Sequence, residues 1–220
     1  SATWRASGTL GFAWLLAVLL VPPYVSLLGH RIERVGHRYR RRARQMARVA
    51  LADPLTGLGN RAHFKQRLER SFLRARLSAG QEGFAVIFVD LDGFKAVNDT
   101  YGHPTGDALL KEVGRTLKRC VRTTDHLARL GGDEFAIVLN RISDPTVAKR
   151  IGRDVVEQVH LIRSVDGKPI EISCSVGVAM SPDTLNDGDI ERVLTTADEA
   201  MYEAKRAGKN RLFYKLTPEM

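Results

Sequence analysis

The 220-residue chain is 44% hydrophobic and carries 34 Lys or Arg against 25 Asp or Glu, a formal charge of +9. That length and apolar content can bury a substantial core, which excludes a disordered polymer and a disulfide-stapled miniprotein. The excess charge is local: residues 1–30 hold Arg5 and no acid, residues 31–50 hold eight Arg against Glu33, and residues 51–220 hold 25 bases against 24 acids. With the bulk of the chain near neutral, no nucleic-acid partner is expected, and the basic stretch belongs to a membrane question.

Residues 1–9 read as a short non-cytoplasmic or truncated end. From Leu10 to Leu28 follow 19 residues without a charge, LGFAWLLAVLLVPPYVSLL, close to the roughly 20 needed to cross a hydrocarbon core about 30 Å thick. The run is read as a transmembrane helix, kinked or thinned at Pro22 and Pro23. A signal peptide is the weaker reading, because no small-x-small cleavage site follows. Arg31, Arg34, Arg38, Arg40, Arg41, Arg42, Arg44 and Arg48 after the run, against Arg5 before it, place the remaining 170 residues in the cytoplasm. Residues 29–52 form a basic linker in which Ile32, Val35, Tyr39, Met46 and Val49 suggest a short paired helical stalk, interrupted by Arg42. A basic helix lying on anionic headgroups is the equal alternative. The chain begins at Ser1 without an initiator Met, compatible with a piece of a longer protein. Cys120 and Cys174 match no zinc or redox spacing and are expected to be buried thiols.

The globular part is expected over residues 53–215, with 216–220 as a tail. After the turn-rich DPLTGLGNR, Asn60 can cap a helix with Phe64, Leu68, Phe72 and Leu77 on its apolar face. Phe84 to Asp90 is a continuous apolar run of strand length, typical of a central strand covered on both sides. A helix is predicted to follow GHPTGD, with Leu109, Leu110, Val113, Leu117 and Val121 inward. His126–Leu130 and Phe135–Leu139 read as strands joined by a tight Gly131-Gly132 turn. A helix near 144–162, a strand near 170–179, a helix over 189–206 and a strand near 212–214 complete an α/β chain with a mixed sheet covered by helices.

Asp90 and Asp92 end a strand, and Asp133 and Glu134 occupy a glycine-preceded turn. If the two strands are neighbours, these acids meet at one edge, where like charges raise one another's pKa unless cations neutralise them. The expected cation is Mg²⁺, held by one or two carboxylates plus phosphate oxygens. Gly131 and Gly132 permit positive φ and close approach of a nucleotide; alone, the turn is only a hairpin signal. Lys95, Lys205 and Lys209 supply positive charge for a triphosphate, although lysines at the end of a helix are ordinarily surface residues complementing its dipole. Asn98 and Asp107 have the chemistry to read guanine, yet Asp107 before an apolar helix is equally an ordinary N-cap.

Four separated strings, DPLTGLGNR, VDLDGFKAVNDTYGHPTGDALL, RLGGDEFAIVL and MYEAKRAGKN, together resemble the GGDEF domain of bacterial diguanylate cyclases. The resemblance implies a palm-like mixed sheet similar to adenylyl cyclases and many polymerases, and an enzyme that condenses two GTP into cyclic di-GMP with release of two pyrophosphates. It implies Asp90, the Leu91 carbonyl and Asp133 as metal ligands. Glu134 is either a further ligand or the base that deprotonates the attacking hydroxyl, so Asp133 and Glu134 are the catalytic pair. Two Mg²⁺ per active site are implied, with Mn²⁺ as a substitute. Asn98 and Asp107 match the guanine-reading pair, and Phe94, Lys95, Gly132, Lys205 and Lys209 fall at substrate positions. Lys209 stands where many relatives carry Arg, which keeps charge and loses bidentate phosphate contact. Gly93 stands in place of a common His.

The resemblance further implies a homodimer in which each domain brings one GTP, at the inner membrane of a bacterium. Arg122 and Asp125, ending six residues before Gly131, match an RxxD site where cyclic di-GMP binds and inhibits. The other readings are a catalytically silent receptor for cyclic di-GMP and a membrane-tethered dimerisation module.

Overall fold

A computed structural model describes residues 51–78, 81–181, 185–186 and 188–217. The apolar run at 10–28 and the basic segment up to residue 50 lie outside the described residues. Among the described residues, no helix is long and apolar enough to cross a membrane.

In chain order the elements are α1 (Arg61–Leu77), β1 (Phe84–Asp92), α2 (Phe94–Tyr101), α3 (His103–Cys120), β2 (His126–Gly131), β3 (Glu134–Asn140), α4 (Pro145–His160), a small hairpin of β4 (Ser164–Val165) and β5 (Lys168–Pro169), β6 (Ser173–Met180), α5 (Asp189–Arg206) and β7 (Arg211–Leu216). The main sheet runs β2-β3-β1-β6-β7. Its pairs are antiparallel except β6 with β7. This is the mixed sheet with helical cover that the sequence predicts.

The apolar run of β1 makes it central. Ala85, Ile87, Val89 and Leu91 face a core shared with α3 and α4, whereas Phe84 and Val86 face a second core shared with α1 and α5. Because side chains alternate along a strand, the even-numbered Asp90 and Asp92 fall on the α5 side. At the sheet's outer margin, Gly59 bridges Ala128 and covers the free edge of β2 with the DPLTGLGNR turn.

Several expectations need correction. The helix predicted to follow GHPTGD starts at His103, with Pro104 in its first turn, so Asp107 lies inside α3 and is not its cap. The short helix α2, Phe94–Tyr101, has only Val97 fully buried, too small an apolar face to be seen as a periodicity. The strand predicted from about Ile170 starts at Ser173, and the chain before it forms the β4–β5 hairpin. Of the two thiols, Cys174 is buried but Cys120 only partly so. Leu77, expected on the apolar face of α1 with Phe64, Leu68 and Phe72, is instead 87% exposed at the end of the helix. The helix starts are as expected: the Asn60 side chain accepts from the His63 amide at 3.0 Å, and the Asp144 side chain accepts from the Thr146 amide at 2.8 Å.

Candidate active site

The β1–β3 ladder pairs Asp90 with Glu134, and the Leu91 amide donates to the Asp133 carbonyl at 3.3 Å. Three of the predicted acids, from two distant segments, therefore share one edge of the sheet. Burial pushes the Asp90 carboxyl above its ordinary pKa; Lys205 acts in the opposite direction, and the charges of Asp133 and Asp92 add to the rise. The Lys205 ammonium sits 2.7 Å from Asp90 Oδ2. Glu134 stays at the surface, 3.7 Å from the Arg61 guanidinium. Among the described residues, no three His, Cys, Asp or Glu side chains form a metal cage by themselves. The donor set nonetheless fits a hard cation completed by substrate oxygens: carboxylates crowded enough to raise a pKa, already drawing one ammonium.

Asp92, grouped with these acids by spacing, has a different task. Its carboxylate accepts from Ser175 Oγ at 2.9 Å, Ser173 Oγ at 3.1 Å and the Asn210 amide at 3.2 Å. It ties the end of β1 to β6 and to the loop that enters β7.

Lys205 reaches Asp90 because α5 lies directly on the sheet. A Cβ on Gly177 would stand 2.1 Å from the Ala197 carbonyl oxygen and 2.3 Å from the Met201 amide. Met201 is one turn before Lys205, so this close approach sets the height of the lysine. Lys209 is not on that helix, which ends at Arg206; it sits exposed in the following loop at φ 60°. Of the two lysines expected at the end of the helix, one is therefore helical and the other belongs to the loop.

The predicted base-reading residues meet at the α2–α3 corner. Asn98 Oδ1 is buried without a hydrogen-bond partner and lies 2.0 Å from where a Cβ on Gly106 would be. Any side chain at 106 would displace that amide. Asp107, the next residue, is exposed; Lys95 is exposed on α2 and Phe94 packs partly against the core. In the signature turn, Gly131 (φ 146°) and Gly132 (φ 52°) both take the positive φ foreseen.

Residues 50–211 match the family described as diguanylate cyclase, GGDEF domain. The chain belongs to the GGDEF family. It is 38% identical over 200 residues to the bifunctional diguanylate cyclase/cyclic di-GMP phosphodiesterase MucR of Pseudomonas aeruginosa, covering 89% of this chain and 28% of that protein. The structure of the coiled coil and GGDEF domain of DgcB from Caulobacter crescentus in complex with c-di-GMP is similar with a TM-score of 0.75 at 29% identity, covering 86% of this chain and 98% of that one. A mutant of PA1120 from Pseudomonas aeruginosa comprising only the GGDEF domain gives a TM-score of 0.67 at 36% identity, covering 76% and 94%. The chain spans between about a quarter and just over half of the first curated relatives it matches.

Within this GGDEF domain the Arg122–Asp125 turn is built as a scaffold. Asp125 is buried, and its two oxygens accept from the Arg122 amide at 3.0 Å and the Asn140 amide at 3.1 Å, while Arg122 is exposed.

Sequence reasoning also missed Arg129. Its guanidinium donates to both oxygens of Asp53, at 3.3 and 3.1 Å, and to the Gly132 carbonyl at 3.0 and 2.8 Å. Burial would raise the Asp53 carboxyl, but Thr56 hydrogen bonds and the Arg129 charge together hold it below its ordinary value. One arginine thus clamps the signature turn to the entry of the domain. The signal was present: a lone acid opening DPLTG and a lone base two residues before Gly131.

Proposed function

We propose that the chain is a diguanylate cyclase joining two GTP into cyclic di-GMP with loss of two pyrophosphates. The observation that carries this reading is the gathering of Asp90, Asp133 and Glu134 at one sheet edge, with the raised Asp90 carboxyl paired to Lys205. A silent receptor has no need of that arrangement.

Asp90, the Leu91 carbonyl, Asp133 and Glu134 would hold two Mg²⁺, or Mn²⁺ in their place. Bound there, the ions neutralise the α-phosphate and lower the pKa of the attacking 3′-hydroxyl. Asn98 and Asp107 orient the guanine. Phe94, Lys95, Gly132 and Lys209 border the phosphates, and Lys205 turns from Asp90 to the triphosphate when substrate arrives. Glu134, exposed beside the ladder, is placed to accept the hydroxyl proton. Each GTP supplies one nucleophile and one electrophile, so two domains face each other in a homodimer whose geometry sets the rate. Cyclic di-GMP returns to Arg122 and Asp125 as inhibitor, with the exposed guanidinium as the first contact. The uncharged run at 10–28 and its arginine flank support an anchor in the bacterial inner membrane with the domain in the cytoplasm.

Purified chain, or residues 51–220 held as a dimer by a fused coiled coil, is expected to turn GTP and Mg²⁺ into cyclic di-GMP identified by mass spectrometry. A folded dimer that yields none, or undiminished turnover after Glu134→Gln or Asp133→Asn, overturns the proposal.

A further inference from the structure

The outward half of α1 is unlike the rest of the domain surface. The helix holds six of the 25 bases of residues 51–220 and only one of their 24 acids, Glu69, so the remainder of the domain is net acidic. Its inner side is filled by Phe64, Leu68, Phe72 and Ala75. Its outer side nonetheless carries two large apolar residues in the open, Leu73 at 55% and Leu77 at 87% exposure.

At 3.6 residues per turn, Leu73 and Leu77 fall at the centre of the outward arc. Lys65 and Arg76 flank them on one side, beyond the acid Glu69 that lies next to Leu73, and Arg70 and Arg74 on the other, all exposed. Single exposed apolar side chains such as Leu161 and Leu216 are ordinary; here two leucines stand one turn apart on one helix face between bases. The arrangement suits an interface with an apolar interior and a negative border: leucines enter the acyl boundary while arginine and lysine stems reach outward to phosphates. The same chain carries a 19-residue uncharged run and eight arginines within the 50 residues before this domain.

We propose that the outer face of α1 is a docking surface for an anionic lipid bilayer, with Leu73 and Leu77 inserted among headgroups and Lys65, Arg70 and Arg74 on their phosphates. The surface is separate from the proposed GTP site, and it stands whether or not the domain turns over. When seated, α1 fixes the orientation of the domain on the membrane. Its neighbour across Asn60, the DPLTGLGNR turn, carries the Asp53 that Arg129 clamps to Gly132.

The test uses residues 51–220. Residues 51–220 make up one compact unit, and a solved relative consists of the GGDEF domain alone. Co-sedimentation with phosphatidylcholine vesicles is compared with vesicles containing about a third phosphatidylglycerol, at low salt where surface charge is least screened. Binding to the anionic vesicles is expected to be at least about tenfold tighter, since each base near such a surface contributes about fivefold. Arg70→Gln with Arg74→Gln should lower it about 25-fold. Leu73→Ser with Leu77→Ser, which leaves every charge in place, should lower it by about tenfold or more, with unchanged thermal unfolding. Equal affinity for both vesicle types, no binding to either, or full binding by the double serine variant overturns the proposal. So does self-association that the serine variant abolishes without any vesicle binding, which would assign the face to a second copy.

Discussion

Two carboxylates of this domain, Asp125 and Asp90, illustrate how the same side chain serves opposite ends. Asp125 at the entry to β2 has each oxygen supplied by a backbone amide. Asp90 at the end of β1 has a single ammonium, carried by a side chain that can rotate away, and two acids crowding it. Asp92 repeats the contrast two residues further on, with three donors that belong to fixed parts of the sheet and loop. An acid whose two oxygens each take a fixed donor serves the fold first, with only its remaining lone pairs left for a ligand. One left underfed beside like charges is available for chemistry.

The contrast is broken or confirmed first at Asp90. Asp90→Asn should lower turnover about 10²- to 10³-fold, the loss typical of one preorganised electrostatic group, while leaving stability at neutral pH unchanged or improved. A carboxyl with a raised folded pKa binds its proton more tightly folded than unfolded. Its contribution to stability is therefore present below the unfolded pKa and lost as pH rises through the folded one. Removing the ionisable group removes that loss. Thermal unfolding of wild type and variant between pH 4 and 8, beside a cyclic di-GMP assay, checks both halves; a large destabilisation of Asp90→Asn at pH 7 would place Asp90 with the structural acids.

The converse is expected at Asp125. Asp125→Ala leaves the Arg122 and Asn140 amides without their acceptor, at about 1–3 kcal/mol for each buried group left unpaired, so urea unfolding should show a loss of about 2–4 kcal/mol. Turnover of the folded fraction should change little. Arg122→Ala, at an exposed side chain, should leave stability alone and weaken inhibition by cyclic di-GMP. Should Asp125→Ala be as stable as wild type, its hydrogen bonds to the two amides contribute nothing to the fold.

A smaller effect joins fold to site. Gly177→Ala inserts a methyl against helix backbone that has no room to move, at about 1–3 kcal/mol for overpacking. By lifting α5 it should also draw Lys205 from Asp90, raising KM for GTP more than it lowers kcat. Stability loss with unchanged KM would show that the lysine reaches its partners independently of the helix seat.

Much of this was legible in the sequence, and the limits are physical. The strand β1 was readable because six apolar residues in a row, Phe84 to Val89, have few other fates, and its central place follows from burial on both faces. The convergence of Asp90 with Asp133 and Glu134 needed only that β1 and β3 be neighbours. The helix α2 was not readable because one buried valine in eight residues leaves no period to detect. The N-cap alternative for Asp107 fails because α3 starts earlier, at His103: a stretch containing Gly and Pro looks like a loop, although proline is well suited to a first helical turn. Asp92 and Arg129 escaped because their partners, Ser173, Ser175, Asn210 and Asp53, lie far along the chain, and no local pattern announces a long-range hydrogen bond.

The smallest expected effect concerns the basic side of β2 and α1. Burial, together with Arg67, His63, Arg74 and Arg70, pushes His126 down to about 4, and His63 is lowered by burial, Arg67 and Arg70. The Arg67 Nε donates to His63 Nε2 at 2.9 Å, which requires that nitrogen to be neutral. Between the unfolded histidine pKa and the folded one, the unfolded chain binds the extra proton, so stability falls as pH drops from about 6.5 towards 4. His126 is only half-buried, and solvent screening holds its share to about 1 kcal/mol, or about 2–4 °C in Tm for a domain of this size. His126→Phe should flatten the Tm profile between pH 6.5 and 4.5 while leaving the acid loss owed to Asp53, whose depressed carboxyl releases its stability at lower pH still. An unchanged slope in the phenylalanine variant would mean that the arginines of α1 turn to solvent before the imidazole gains its proton, and would move the acid sensitivity of the domain to Asp53 and its clamp on the signature turn.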